Sequence, residues 1–274
     1  TTSAPYSSGE SNTALGYQAL TAFTTGYSNT AIGKGAGDAI TTGYNNSFMG
    51  ESAGTALTIG FGNVMIGRLA GYASTDVDKT VIIGEQAAYT GNMTSDADGT
   101  VSIGSGAGKN ITSGIGNVSV GFGALTTEND GDFNTAIGYQ ALTAQTGTSG
   151  EMGSTAMGYK AGTSLTTGKG NTLLGYDAGR YQTTQTYNTV VGWQSSKRNY
   201  KGEHIVTIGA EAGHYSTGSY NTFVGSQAGK GGTTSAPYSS GQNNTALGYR
   251  AFTAFTTGAA NVAIGQNAFV SLTT

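Results

Sequence analysis

Apolar residues recur along this chain once per short block rather than at helical spacing. The block is N-T-x-[ILVM]-G-x-x-A. It opens at Asn12-Thr13-Ala14-Leu15-Gly16 and returns at Asn29-Thr30-Ala31-Ile32-Gly33 and Asn46-Ser47-Phe48-Met49-Gly50. Its glycine then falls at 67, 84, 104, 121, 138, 158, 175, 192, 209, 225, 248 and 265. The step from one glycine to the next is mostly seventeen, with twenty twice, twenty-three once and sixteen once. With the Asn as position 0, position 3 is apolar in all fifteen copies, and position 1 is Thr, Val or Ser. Such residues favour strands, and alternation puts positions 1 and 3 on one face. Position 4 is always Gly, which indicates a tight corner or close backbone approach. Position 7 is Ala in fourteen copies, with Ser195 the exception, which suggests a narrow interior. A Gly three places before the Asn, as in Thr24-Thr25-Gly26, marks a turn.

A period this short cannot hold a helix pair. It predicts an all-β fold, a parallel β-solenoid (β-roll) of about fifteen coils. At one strand spacing per coil, ~4.8 Å, fifteen coils span roughly 70 Å. Stacked Asn side chains are expected to hydrogen-bond along the column. In this reading position 3 and the position 7 Ala fill the coil, and position 2 faces the other way. Position 2 is nonetheless often apolar: Phe48, Met65, Ile82, Leu173, Val190 and Phe223. A strand apolar on both faces is normally covered on both. These six side chains are therefore expected at the interface of a homo-oligomer.

A longer period lies above the coil. Residues 1–42 and 233–274 match at 29 of 42 positions, in the register that lays Thr1 on Thr233. The chain reads as a single solenoid segment over 1–274. Residues 1–232 form one block and 233–274 the start of the next, an internal piece of a longer repeat protein.

Composition narrows the function. Gly supplies 47 of 274 residues and Pro only 2, which excludes collagen. Net charge is −3, so neither nucleic acid nor anionic membrane is an expected partner. There is no Cys to staple the chain and no apolar run long enough for membrane insertion.

The coil motif resembles the YadA-like head repeat of trimeric autotransporter adhesins, through Asn29-Thr30-Ala31-Ile32-Gly33-Lys34-Gly35-Ala36 and Asn261-Val262-Ala263-Ile264-Gly265. It is also similar to the N-T-A-x-G-Y-x-A-L repeats of large secreted or phage tail-fibre-like proteins, matched in full by Asn134 to Leu142. The resemblance covers essentially the whole chain. It implies a left-handed roll, a parallel trimer and a cell-surface or virion fibre with adhesive or spacer function. The adhesin repeat is usually somewhat shorter than this one.

Candidate chemistry is sparse. His204 and His214 have no matching ligand pattern and read as surface residues. No credible base accompanies any Ser as a nucleophile, and the Gly-x-Gly runs precede no helix, so an enzyme is not expected and no cofactor is implied. Asp76 and Asp78, with Asp96 and Asp98 one coil on, are the weak candidates for calcium. Glu128, Asp130 and Asp132 form another acidic cluster. Tyr139, Tyr159, Tyr176 and Trp193 occupy position 5 of consecutive coils. They form an aromatic stripe that contacts a glycan or protein receptor, or else simply stacks. The favoured reading is a structural and adhesive shaft of an extracellular fibre. The alternatives are a receptor- or glycan-binding module and, remotely, an ice-binding solenoid.

Overall fold

The computed structural model describes residues 8–147, 150–232 and 238–271. The second sequence block would begin at Thr233, outside the described residues. The fold is all-β, a parallel β-solenoid of about 14 turns with a period near 17 residues. The chain forms two compact units. The first is 1–134 with 146–150, and the second is 135–145 with 151–274.

Each coil contributes one short strand at positions 1 to 3. In the first unit these are β1 (Thr13–Leu15), β2 (Thr30–Ile32), β3 (Ser47–Met49), β4 (Val64–Ile66), β5 (Val81–Ile83), β6 (Val101–Ile103) and β7 (Val118–Val120). They pair in chain order, parallel, with like positions opposite one another: Ala31 faces Phe48, and Phe48 faces Met65. A shorter strand, β8 (Gly131–Asp132), follows. The second unit holds β9 (Thr135–Ile137), then the short β10 (Gly150–Glu151) at the boundary, and β11 (Thr155–Met157). It continues with β12 (Thr172–Leu174), β13 (Thr189–Val191), β14 (Val206–Ile208), β15 (Thr222–Val224), β16 (Thr245–Leu247) and β17 (Val262–Ile264). From β9 and β11 onward the pairing is again parallel and in order.

The Asn column forms as expected. The Asn29 backbone N–H and Nδ2 both donate to Asn12 Oδ1, at 2.9 and 3.1 Å, and Nδ2 also reaches Gly43 O at 2.9 Å. Asn46 and Asn63 repeat this pattern. In the second unit Asn244 bonds Asn221 and Asn261 bonds Asn244 in the same way. The column satisfies side-chain and backbone groups that the coil interior removes from water, so each Asn fixes its neighbour's register.

The expected direction of the strand faces is reversed. Position 2 points into the coil, and positions 1 and 3 point out. Phe48 is 1% exposed, whereas Met49 beside it is 47% exposed. Met65, Ile82, Leu173, Val190 and Phe223 are likewise fully buried. These six side chains, expected at an oligomer interface, instead fill the core of their own chain. The physical reason is the corner that follows each strand. The position 4 Gly has φ between 115° and 141°, and positions 6 and 8 are left-handed. This path folds positions 7 and 8 back against position 2. The position 7 Ala is buried from Ala36 to Ala251, as expected.

Positions 2 and 8 share one space. Where position 2 is Ala, position 8 is often large and buried, as in Ala136 with Leu142 and Ala246 with Phe252. Where position 2 is large, position 8 is small: Phe48 with Gly54, Met65 with Gly71, Phe223 with Gly229. A Cβ on Gly71 would lie 2.6 Å from Met65 Sδ, and one on Gly54 or Gly229 would run into a Phe ring. Ala156 with Gly162 departs from this pattern. There Leu173 of the next coil supplies the volume, 2.6 Å from a Cβ placed on Gly162. Position 11 completes the core through Ile40, Leu57, Ile111, Leu165 and Phe255.

Candidate functional site

Parallel, in-register coils stack like residues at one strand spacing, so any side chain repeated at a surface position becomes a ladder. Three ladders stand out. The first is apolar and lies on the outward strand face. In β4 to β7 it comprises Val64 and Ile66, Val81 and Ile83, Val101 and Ile103, Val118 and Val120, all half-buried within the single chain. In the second unit Met157, Leu174, Ile208, Leu247 and Ile264 of the same column are exposed, Leu247 at 48%.

The second ladder is the aromatic stripe. Tyr139, Tyr159, Tyr176 and Trp193 do come together. Successive ring centroids lie 5.3, 5.0 and 6.5 Å apart, with planes within 18° of parallel. Lys160 sits 5.2 Å over Tyr159. All four rings are exposed. Their inner faces cover one another at stacking distance, which leaves no gap for a sugar ring, so the stripe presents ring edges outward. Mutual stacking is therefore the role this geometry serves best. Tyr27, Tyr44 and Phe61 make a similar stack at 4.8 and 4.9 Å.

The third ladder is one that the sequence reading missed. In the first unit position 5 reads Lys34, Glu51, Arg68, Glu85, alternating in sign. Glu51 lies 3.5 Å from Lys34 and 3.6 Å from Arg68, which is 3.0 Å from Glu85. Each pair is exposed and contributes little alone, but alternation removes the like-charge repulsion that stacking would otherwise impose. The signal lies in position 5 itself, once it is compared along the repeats.

The acidic loops serve the backbone. Asp78 Oδ1 accepts the Phe61 N–H at 2.8 Å, and Asp98 Oδ1 accepts the Asp78 N–H at 2.7 Å. Burial pushes the Asp78 carboxyl up, against the pull of the Phe61 bond, with Asp98 and Asp76 adding to the rise. Asp96 lies in the 3₁₀ turn Ser95–Ala97. Among the described residues, no three His, Cys, Asp or Glu side chains converge as a metal site. Glu128 is buried rather than on a surface loop. Its Oε1 accepts the N–H groups of Asn129, Gly131 and Gly147, each at 2.8 Å.

The two histidines differ. His204 is exposed and stacks between Tyr187 and Tyr220 at 5.2 and 5.4 Å. His214, expected on the surface, is buried, with its ring 4.4 Å from that of Tyr215. Its Nδ1 has no hydrogen-bond partner. Burial, reinforced by Lys197, Lys230 and Arg198 and opposed by Glu211, lowers its pKa to about 4. The folded chain thus binds fewer protons than the unfolded chain between about pH 6.5 and 4. Stability contributed by neutral His214 is complete above this window and lost as pH falls through it. Melting at pH 7 and pH 4.5 should show up to about 3 kcal/mol of acid loss that His214→Gln removes. Equal acid loss in the two proteins would exclude His214 as the cause.

No helix among the described residues is long and apolar enough to cross a membrane. Compared with known proteins, the chain matches no family model, no curated protein and no solved structure.

Proposed function

We propose that this chain is a structural and adhesive shaft segment of a long extracellular fibre, working as a parallel homotrimer. The observation that carries the reading is the outward apolar column. Position 3 is apolar in every copy although it fills no interior. An apolar column of this length on a weakly charged chain is a surface that association would cover. The trimer contacts are the outward pairs, Val81 with Ile83 and Val101 with Ile103 among them, while the side chains at position 2 hold each coil together from within. The parallel trimer and the extracellular setting come from the resemblance to adhesin head repeats. Adhesion belongs to loops and ladders displayed at regular spacing on the shaft.

Light scattering on the purified chain should give the mass of three copies. Ile83→Asp with Ile103→Asp should reduce it to one copy while the β-type circular dichroism stays unchanged. A monomeric mass for the unmodified chain would remove the trimer from this reading.

A further inference from the structure

The chain contains no Cys, so a covalent tie between coils needs another side chain. Its stacked tyrosines are placed to supply one. In the second unit the Tyr159 and Tyr176 ring centres lie 5.0 Å apart, with planes 9° from parallel. In the first unit Tyr27 and Tyr44 lie 4.8 Å apart at 7°. Each pair joins consecutive coils. The backbone ladder holds the Tyr159 pair in place. The Asp177 N–H donates to the Tyr159 carbonyl at 2.9 Å, and the Gln194 N–H donates to the Tyr176 carbonyl at 2.8 Å. Tyr159 and Tyr176 are 39% and 45% exposed, so an oxidant in solution reaches their outer edges.

Parallel, in-register stacking brings like atoms of the two rings near one another. A phenol that loses one electron and its hydroxyl proton becomes a phenoxyl radical, whose unpaired electron is shared between the oxygen and the ortho carbons. Two such radicals held together combine by forming one Cε–Cε bond. The hydrogens on those two carbons then pass through water to the oxygens, which restores both phenols. Fixed proximity replaces the diffusional encounter of two scarce radicals, the advantage of an intramolecular reaction. Tyr17 and Tyr249 are 71% and 49% exposed but stack on no ring among the described residues, so they lack this advantage.

We infer that the stacked pairs Tyr159–Tyr176 and Tyr27–Tyr44 are sites of oxidative crosslinking, where hydrogen peroxide acting through a haem peroxidase joins consecutive coils as dityrosine. Two phenols and one peroxide give one dityrosine and two waters, so each link removes two hydrogen atoms from the chain. The link closes within one chain, so it stands or falls independently of the trimer.

The test is oxidation of the full chain with peroxidase and hydrogen peroxide, followed by dityrosine fluorescence, denaturing gel electrophoresis and mass spectrometry of the digested protein. The chain should gain dityrosine emission while still running as a single chain, with Tyr159 joined to Tyr176 and Tyr27 to Tyr44. Tyr159→Phe keeps the ring and removes the phenol. It should abolish the link in the second unit and leave that between Tyr27 and Tyr44. Tyr176→Phe should move the second-unit link to Tyr139, which lies 5.3 Å from Tyr159 on its other side. Unchanged melting of both variants before oxidation separates a lost link from a lost fold. The inference is overturned if no dityrosine forms, if it forms only between chains, or if Tyr17 and Tyr249 are linked as often as the stacked pairs. A second-unit link that survives Tyr159→Phe would overturn it too.

Discussion

Gly175→Ala should destabilise the second unit by at least about 3 kcal/mol, and Gln194→Gly should leave it unchanged or stabilise it by up to about 1 kcal/mol. Both positions have positive φ, so the contrast isolates two physical causes. Gln194 has φ 52°, in the left-handed well that side chains enter at modest cost, and glycine relieves that cost. Gly175 has φ 133°, where an L residue has no favourable well. An added Cβ would also stand 2.5 Å from the Gly192 carbonyl oxygen of the next coil. That oxygen belongs to the stacked backbone and cannot move aside without shifting the ladder. The same encounter recurs at Gly33 and Gly158, which is why position 4 is glycine in every copy. Urea unfolding followed by circular dichroism reads both effects. A Gly175→Ala protein as stable as its parent would mean that the coils tolerate wider spacing.

The period, the strand class and the Asn column are all legible in the sequence, because each follows from repetition. A residue type recurring at the coil period must stack on itself once the coils are in register. The direction of the strand faces misleads for a specific reason. Position 3 looks like core because it is invariably apolar, and position 2 looks like an interface because it is often apolar on the opposite face of the strand. A core position in a repeat need not be constant if a second position compensates for it. Ala136 with Leu142 and Phe48 with Gly54 keep the interior filled by exchange, and constancy at position 3 reflects some other demand. The exchange is visible in the sequence when positions 2 and 8 are compared across coils. The burial of His214 and Glu128 is not visible there, because burial at positions 9 and 11 depends on how each corner closes.

The exchange of volume makes a prediction that single substitutions cannot. Phe223→Ala should cost about 3–5 kcal/mol, since it empties a fully buried aromatic site packed 5.8 Å from Phe255. Gly229→Leu alone should also destabilise, because its first carbon meets the Phe223 ring and its φ of 54° strains a side chain. The double variant should recover much of the loss. It recreates the pair found in Ala136 and Leu142, where Leu142 sits buried at φ 49°. A double-mutant cycle should therefore give a favourable coupling of about 2 kcal/mol or more, at the upper end for residues in contact. Simple additivity would mean that the two side chains do not compete for one space. A coupling of the expected sign would establish that each coil is packed by the sum of positions 2 and 8. Position 3 is then left free to be apolar for a reason outside the coil, which is the premise on which the proposed trimer contact rests.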